Sequence, residues 1–301
     1  MDTQTLKYIG KDLYKTHILK EWKRYIVFMT RCHLHKGQIN DLLDFFKATP
    51  QRQTMLEHTT SFVEQTTRAF FYKDSTWDER IAIVKNHIEY MENIFNDEAI
   101  AKLYVNGERI RLWEDVYEEQ PVVMELWFHG GQRKEGCLSL VLSLGADELY
   151  QIMFWLAPSP EDNELSLWIG ALQGTPNGSE IIKGLTKAFF GYRTKNLIFY
   201  GIRNVAAGLG CKHLYAVSNA GYYAMNHVRR DRKLKTSLDD FWQECEGQVC
   251  KDQRFFEMPI EEYRKSIEEL KPSKRAQHRR RFAKMDEITE SVTEVLNNYK
   301  K

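Results

Sequence analysis

Several features that would assign this chain to a broad class are missing from it. No run of apolar residues approaches the roughly 18–20 needed to span a bilayer. The longest runs, such as Ile152-Met153-Phe154-Trp155-Leu156-Ala157, read as core strands. The N-terminus carries Lys7, Lys11, Asp12, Lys15, Lys20 and Glu21 and lacks the apolar stretch and small-residue cleavage site of a signal peptide. The five cysteines are odd in number and scattered, unlike the framework of a small secreted domain, so reduced thiols and a cytoplasmic location are expected. Charge of one sign is not in excess either. With 43 basic and 42 acidic residues the net charge is +1, and attraction to nucleic acid or anionic lipid would have to come from a local patch. Low-complexity segments and fixed-period repeats are absent.

Motifs for common chemistries are missing too. There is no Walker loop, no Gly-x-Gly-x-x-Gly and no Gly-x-Ser-x-Gly elbow. Cys32-His33-Leu34-His35 is not joined by a Cys-x-x-Cys or His-Glu-x-x-His pair, so no metal is expected.

What is present points to an ordered α+β chain, 43% apolar and 13% aromatic. Up to about residue 105 the periodicity is helical. Ile81, Val84, Ile88, Met91 and Phe95 recur three or four apart, behind caps offered by Asp74, Ser75 or Thr76. Further helices are expected over Lys20 to Arg31 and Ile39 to Lys47, separated at Gly37 and ended near Pro50. From Asn106-Gly107 the pattern becomes strand-like, with Leu138, Leu140, Leu142 and Leu144 alternating with Ser139, Val141 and Ser143. Residues 107–173 read as an antiparallel meander of about four strands. Then come a loop, two helices, and a strand over His213 to Ser218 that a crossover would make parallel to its predecessor. A helix from about Ser273 has Phe282, Met285, Ile288, Val292 and Val295 as its stripe. This divides the chain into a helical region, 1–105, and an α/β region, 106–301, with a mostly antiparallel mixed sheet.

Candidate site residues follow from this layout. The loop Gln173, Gly174 to Gly178 and Ser179 lies between a central strand and a helix start, where backbone amides can meet a phosphate; a plain turn has the same composition. Asn219 follows the next strand, with Tyr222 and Tyr223 after it. Two basic clusters, one with Arg229 and Arg230 and one with Arg279, Arg280 and Arg281, would bind an anion if they faced one cleft, and each taken alone is a solvated face.

The order strand, loop, helices, strand, Asn, Tyr resembles the acyl-CoA-binding half of GNAT-type acyltransferases. That resemblance implies a pyrophosphate held by the loop amides, oriented by Asn219, and a proton given to the leaving thiolate by Tyr222 or Tyr223. The cofactor would be acyl-CoA, and the partners an acyl donor and an anionic acceptor recruited by the arginines. In a non-catalytic alternative the arginines recognise RNA, an anionic lipid or an acidic partner.

Three longer motifs, Leu172-Gln173-Gly174 through Lys195, Ala216-Val217-Ser218-Asn219 with Asp239-Asp240-Phe241-Trp242, and Lys274 through Glu287, resemble the VirK/YbjX family of bacterial proteins. Phe71-Tyr72, Arg80 and His87 extend the likeness upstream. It implies a setting in virulence, envelope adaptation and antimicrobial-peptide resistance, and no assigned catalytic residue. Members tend to carry a His where Tyr222 stands here.

Overall fold

A computed structural model describes residues 3–129, 134–175, 179–226 and 236–301. Seven helices come first: α1 (Thr3–Leu13), α2 (Leu19–Leu34), α3 (Lys36–Lys47), α4 (Pro50–His58), α5 (Ser61–Thr67), α6 (Trp77–Ile94) and α7 (Asp97–Tyr104). Thr76 is the cap of α6, in a capping box with Glu79, and all five residues of the expected stripe are buried. α3 ends at Lys47, near Pro50 as expected, and one boundary differs: Gly37 lies inside α3, the break falling at His35. Pro50 itself begins the next helix. Proline suits a first turn, where its missing N–H has no helical partner, and Thr49 caps that turn by accepting from the Arg52 amide.

The sheet follows: β1 (Arg109–Tyr117), β2 (Gln120–Trp127), β3 (Leu138–Leu144), β4 (Asp147–Pro158), β5 (Leu165–Gly174), β6 (His213–Val217), β7 (Gln248–Val249) and β8 (Phe255–Met258). Its order is β1-β2-β3-β4-β5-β6-β8-β7. The meander has five strands where four were expected. Its β1–β2 turn is built from Glu118 and Glu119, both at positive φ (47° and 63°), without the Gly or Asn that advertises such a turn. The crossover through α8 (Ser179–Ala188) and α9 (Thr194–Gly208) makes β6 parallel to β5, as the sequence implied.

Leu140 of β3 pairs with Ile152 of β4 and packs near Gly201 of α9, whereas Trp155, three residues on and so on the opposite face, packs on Phe71. The sheet therefore lies between the N-terminal helices on one face and α9 with α11 (Pro272–Tyr299) on the other. Met285, Ile288 and Val292 of the expected α11 stripe are buried, with Leu296 in place of Val295, which like Phe282 is only half-buried; the four buried side chains are worth about 6–12 kcal/mol as an upper bound. The end of α11 is fixed to the α6–α7 junction by Asn96 N–H to Tyr299 O (2.8 Å) and Lys301 N–H to Ile94 O (3.0 Å). α10 (Leu238–Glu244) covers the β6 end, where the Trp242 indole donates to Val217 O at 2.9 Å.

His87 ties α6 to the sheet. Beyond Leu138↔Phe154 the β3–β4 ladder stops, and the Leu156 N–H of β4 donates instead to His87 Nδ1 at 3.1 Å. The acceptor role of Nδ1 leaves the proton on Nε2, which donates to Tyr104 Oη at 2.7 Å. Burial holds the ring unprotonated, its pKa pushed down to about 3. Below the ordinary histidine pKa of about 6.5 the unfolded chain binds a proton that the native ring refuses, so this stability is present at neutral pH and lost as pH falls toward 3. His87→Gln is expected to cost about 1–3 kcal/mol at pH 7. It should also flatten the fall in stability between pH 6.5 and 4 by up to about 1.4 kcal/mol per pH unit, measured by urea denaturation.

Candidate functional site

Three polar side chains from separate parts of the chain meet at one buried carboxylate. Glu135 precedes β3, Gln173 is the next-to-last residue of β5, and Tyr222 follows β6. One carboxylate oxygen of Glu135, Oε1, accepts from Tyr222 Oη at 3.0 Å and from Gln173 Nε2 at 2.9 Å. Glu135 is 4% exposed and Tyr222 8%. Burial lifts the Glu135 carboxyl to about 7, against the opposing pull of the Tyr222 hydroxyl, Lys134 and Gln173. The Tyr222 phenol is raised by burial and by that carboxylate.

Backbone geometry makes this meeting possible. In β5 the partners of Met153 and Phe154 are Ala171 and Ile169, so Gly170 is the extra residue of a β-bulge. A Cβ on Gly170 would sit 1.8 Å from the Glu135 carbonyl oxygen. Only glycine lets the chain at Glu135 lie against the strand there. The β5–β6 pairing ends at Ile169↔Ala216, one residue before the bulge, so Glu135, Gln173 and Tyr222 gather where the two parallel strands part. The connection between α5 and α6 closes the frame: Phe71 N–H donates to Lys134 O and Lys73 N–H to Gly221 O, both at 2.8 Å, while Tyr72 bridges Tyr222. Phe71 has φ 68°, a costly conformation for a bulky residue, held by contacts on both sides.

Two cavities adjoin this region. One of about 310 Å³ is lined by Tyr150, Gln151, Gln173, Gly174 and Thr175 among others. The other, about 680 Å³, is walled by Tyr72, Trp155, Trp168, Tyr215 and Phe255 and rimmed by Glu79, Asp252 and Arg254. Trp155 and Tyr72 stand between it and Glu135: the Trp155 ring would lie 2.9 Å from the same Gly170 Cβ, and the Tyr72 backbone pairs with Tyr222.

A family profile described as "Protein of unknown function (DUF535)" matches residues 17–294. The chain belongs to the DUF535 family. It is 32% identical to the "Uncharacterized protein YbjX" of Escherichia coli over 129 residues, which are 41% of this chain and 38% of that relative. An "Uncharacterized protein" of Haemophilus influenzae is 22% identical over 269 residues, 87% of each chain. No solved structure matches. The VirK/YbjX resemblance of the three motifs thus agrees with the DUF535 membership.

In this DUF535 chain the other expected site residues have varied surroundings. Gly174 lies in β5 opposite Tyr150, and the next amide, Thr175 N–H, donates to Leu149 O, so the loop begins later than expected. Gly178, Arg229 and Arg230 lie outside the described residues, as does the side chain of Ser179 at the start of α8. Asn219 braces the chain: its Oδ1 accepts from Leu238 N–H (2.7 Å) and its Nδ2 donates to Ser237 Oγ (3.0 Å), positioning α10. Tyr223 is buried edge-on to Phe70 and Tyr222. Arg279 and Arg280 are exposed, while Arg281 donates to Phe190 O at 2.8 Å, closing the turn after α8. Arg80, buried, is likewise structural, donating to the carbonyls of Thr66 and Ser75.

Sequence reasoning missed Glu135. Its signal was a lone carboxylate between the polar segment ending at Lys134 and a wholly buried strand.

Two outcomes follow from this geometry. With its pKa raised, Glu135 keeps a proton in the native state that the unfolded chain releases above about 4.5, so it destabilises progressively from there to about pH 7, by about 3 kcal/mol at most. The amide introduced by Glu135→Gln keeps an acceptor oxygen for Tyr222 and Gln173 and has nothing to titrate. The variant should therefore gain on the wild type in chemical denaturation at pH 8 and lose that advantage at pH 4.5; equal pH slopes would contradict the buried carboxyl. Gly170→Ala should destabilise by more than about 2 kcal/mol, because the obstructing atom is backbone.

Proposed function

We propose that this chain is an acyltransferase that moves an acyl group from a thioester such as acyl-CoA to an amine or hydroxyl, with Glu135 as general base. The observation that carries the reading is a buried carboxyl with a pKa of about 7, hydrogen-bonded to a tyrosine where parallel strands part. A base works best when its pKa lies near the working pH. Sites in open sheets with parallel strands favour such partings.

In the proposed reaction the acceptor attacks the thioester carbonyl and gives its proton to Glu135. The C–S bond breaks, and the leaving thiolate takes the phenolic proton of Tyr222. The 3.0 Å hydrogen bond from Tyr222 to Glu135 then provides the route by which Glu135 returns the proton it accepted to the phenolate. The products are the acylated acceptor and the free thiol, with both side chains as they began. Gln173 keeps the carboxylate oriented. The donor's pyrophosphate is assigned to the start of α8, the helix that follows β5, and its acyl chain to the aromatic cavity on the far side of Trp155 and Tyr72, which would have to turn aside to admit it. A role in envelope adaptation or virulence is what the VirK/YbjX likeness adds to this reading.

Calorimetric titration with coenzyme A and with short and long acyl-CoAs tests it. Micromolar binding by the wild type is expected, together with thiol release whose rate rises with pH through about 7. Glu135→Gln should keep the binding and lose about 10²–10⁴-fold in rate; Tyr222→Phe should lose rate without losing affinity. A folded wild-type protein that binds none of these thioesters would end the acyltransferase reading and turn attention to the exposed Arg279 and Arg280.

A further inference from the structure

Exposed apolar surface is concentrated at one place. Of the eleven large apolar side chains exposed among the described residues, seven lie between Tyr8 and Leu34. On α2 the usual arrangement is reversed. At 100° per residue Leu19, Trp22, Ile26, Val27 and Leu34 fall within an arc of about 140°, and all five are more than 40% exposed. The opposite face supplies only Phe28 and Cys32 as its buried residues.

The segment that carries this surface is basic. Residues 3–36 contain eight Lys and Arg against Asp12 and Glu21, a surplus of six in a chain of net charge +1. Lys23 falls inside the apolar arc, and Lys20, Arg24 and Arg31 project along one edge of it. At that edge a cavity of about 200 Å³ is lined by Lys23, Arg24, Val27, Arg31 and Arg68 with Tyr14 and Phe28. Arg24 is paired with Glu21 at 2.6 Å and Arg68 with the buried Glu64 at 3.2 Å. Arg31 donates to a neutral group, the Thr67 carbonyl, at 3.3 Å, and burial together with Arg68 depresses its guanidinium. Four cations around one small cavity, with two carboxylates paired to them, leave a place for an anion.

We propose that the exposed face of α2 docks on an anionic phospholipid bilayer, with Trp22, Ile26 and Leu19 entering the interface and the cavity at Lys23, Arg24, Arg31 and Arg68 receiving a lipid phosphate. A tryptophan and aliphatic residues flanked by lysine and arginine match the two attractions of an anionic interface, apolar burial and charge. A second copy of the chain is the poorer occupant. A two-fold contact would set this basic face against itself, and like charges would oppose it. The proposal does not depend on the acyltransferase reading.

Vesicle co-sedimentation of the full chain decides the matter. Binding to vesicles with roughly 30% phosphatidylglycerol is expected, at least about ten-fold stronger than to pure phosphatidylcholine and weakened by high salt. Trp22→Ser with Ile26→Ser, and separately Lys23→Glu with Arg24→Glu, should each lower it by about ten-fold or more with the melting temperature retained, since these side chains are exposed. Failure of the folded wild type to bind anionic vesicles would overturn the proposal. So would binding that neither double variant weakens. Thermal protection by inorganic phosphate without vesicle binding would assign the cavity to free phosphate, and a dimer dissolved by Trp22→Ser would assign the face to a second copy; either result overturns membrane docking.

Discussion

The candidate site depends on the contact of two backbones at Gly170. A side chain there would collide with the Glu135 carbonyl, so the missing Cβ fixes where the segment before β3 can cross β5. The bulge at the same residue and the end of the β5–β6 pairing one residue earlier open the space into which the Glu135 carboxyl turns. Gln173, near the end of β5, and Tyr222, from the segment after β6, then reach the same oxygen. The Phe71–Lys73 segment holds both sides together, which makes the N-terminal helical layer part of the site's frame.

Burial acts on two titratable groups in opposite senses. His87 and Glu135 are both kept neutral near pH 7 or below it, the first by refusing a proton and the second by retaining one. Their surroundings separate structure from candidate chemistry. Both ring nitrogens of His87 are engaged, one by β4 through Leu156 N–H and the other by α7 through Tyr104. Glu135 has both neighbours on one oxygen, and its pKa lies in the range useful to a base.

Much of the architecture was legible as periodicity: the α6 stripe and the parallel strand after the crossover are as read, and the Leu138–Leu144 alternation did mark a strand, though one buried on both faces with Ser139 and Ser143 inside. The β1–β2 turn was not, because two glutamates adopt positive φ where turn chemistry predicts glycine or asparagine. Tyr222 was singled out and does reach a buried carboxyl, but Asn219 braces α10. Glu135 was illegible because its hydrogen-bond partners lie 38 and 87 positions away. The α2 face was hidden for a similar reason: an amphipathic pattern tells that a helix has two faces, and only tertiary packing tells which one is turned outward.

Those long sequence separations bear on how the molecule assembles. A carboxyl whose partners lie 38 and 87 residues along the chain acquires them only after β5 and β6 are in register and the crossover helices between them are packed. Closing such loops costs entropy before any contact across them rewards it, so the site is expected to form after the local helices and hairpins. The ionisation of one glutamate is thereby a gauge of the sheet as a whole: while Glu135 titrates as a buried acid, both strands, the bulge and the segment across it are in their native order.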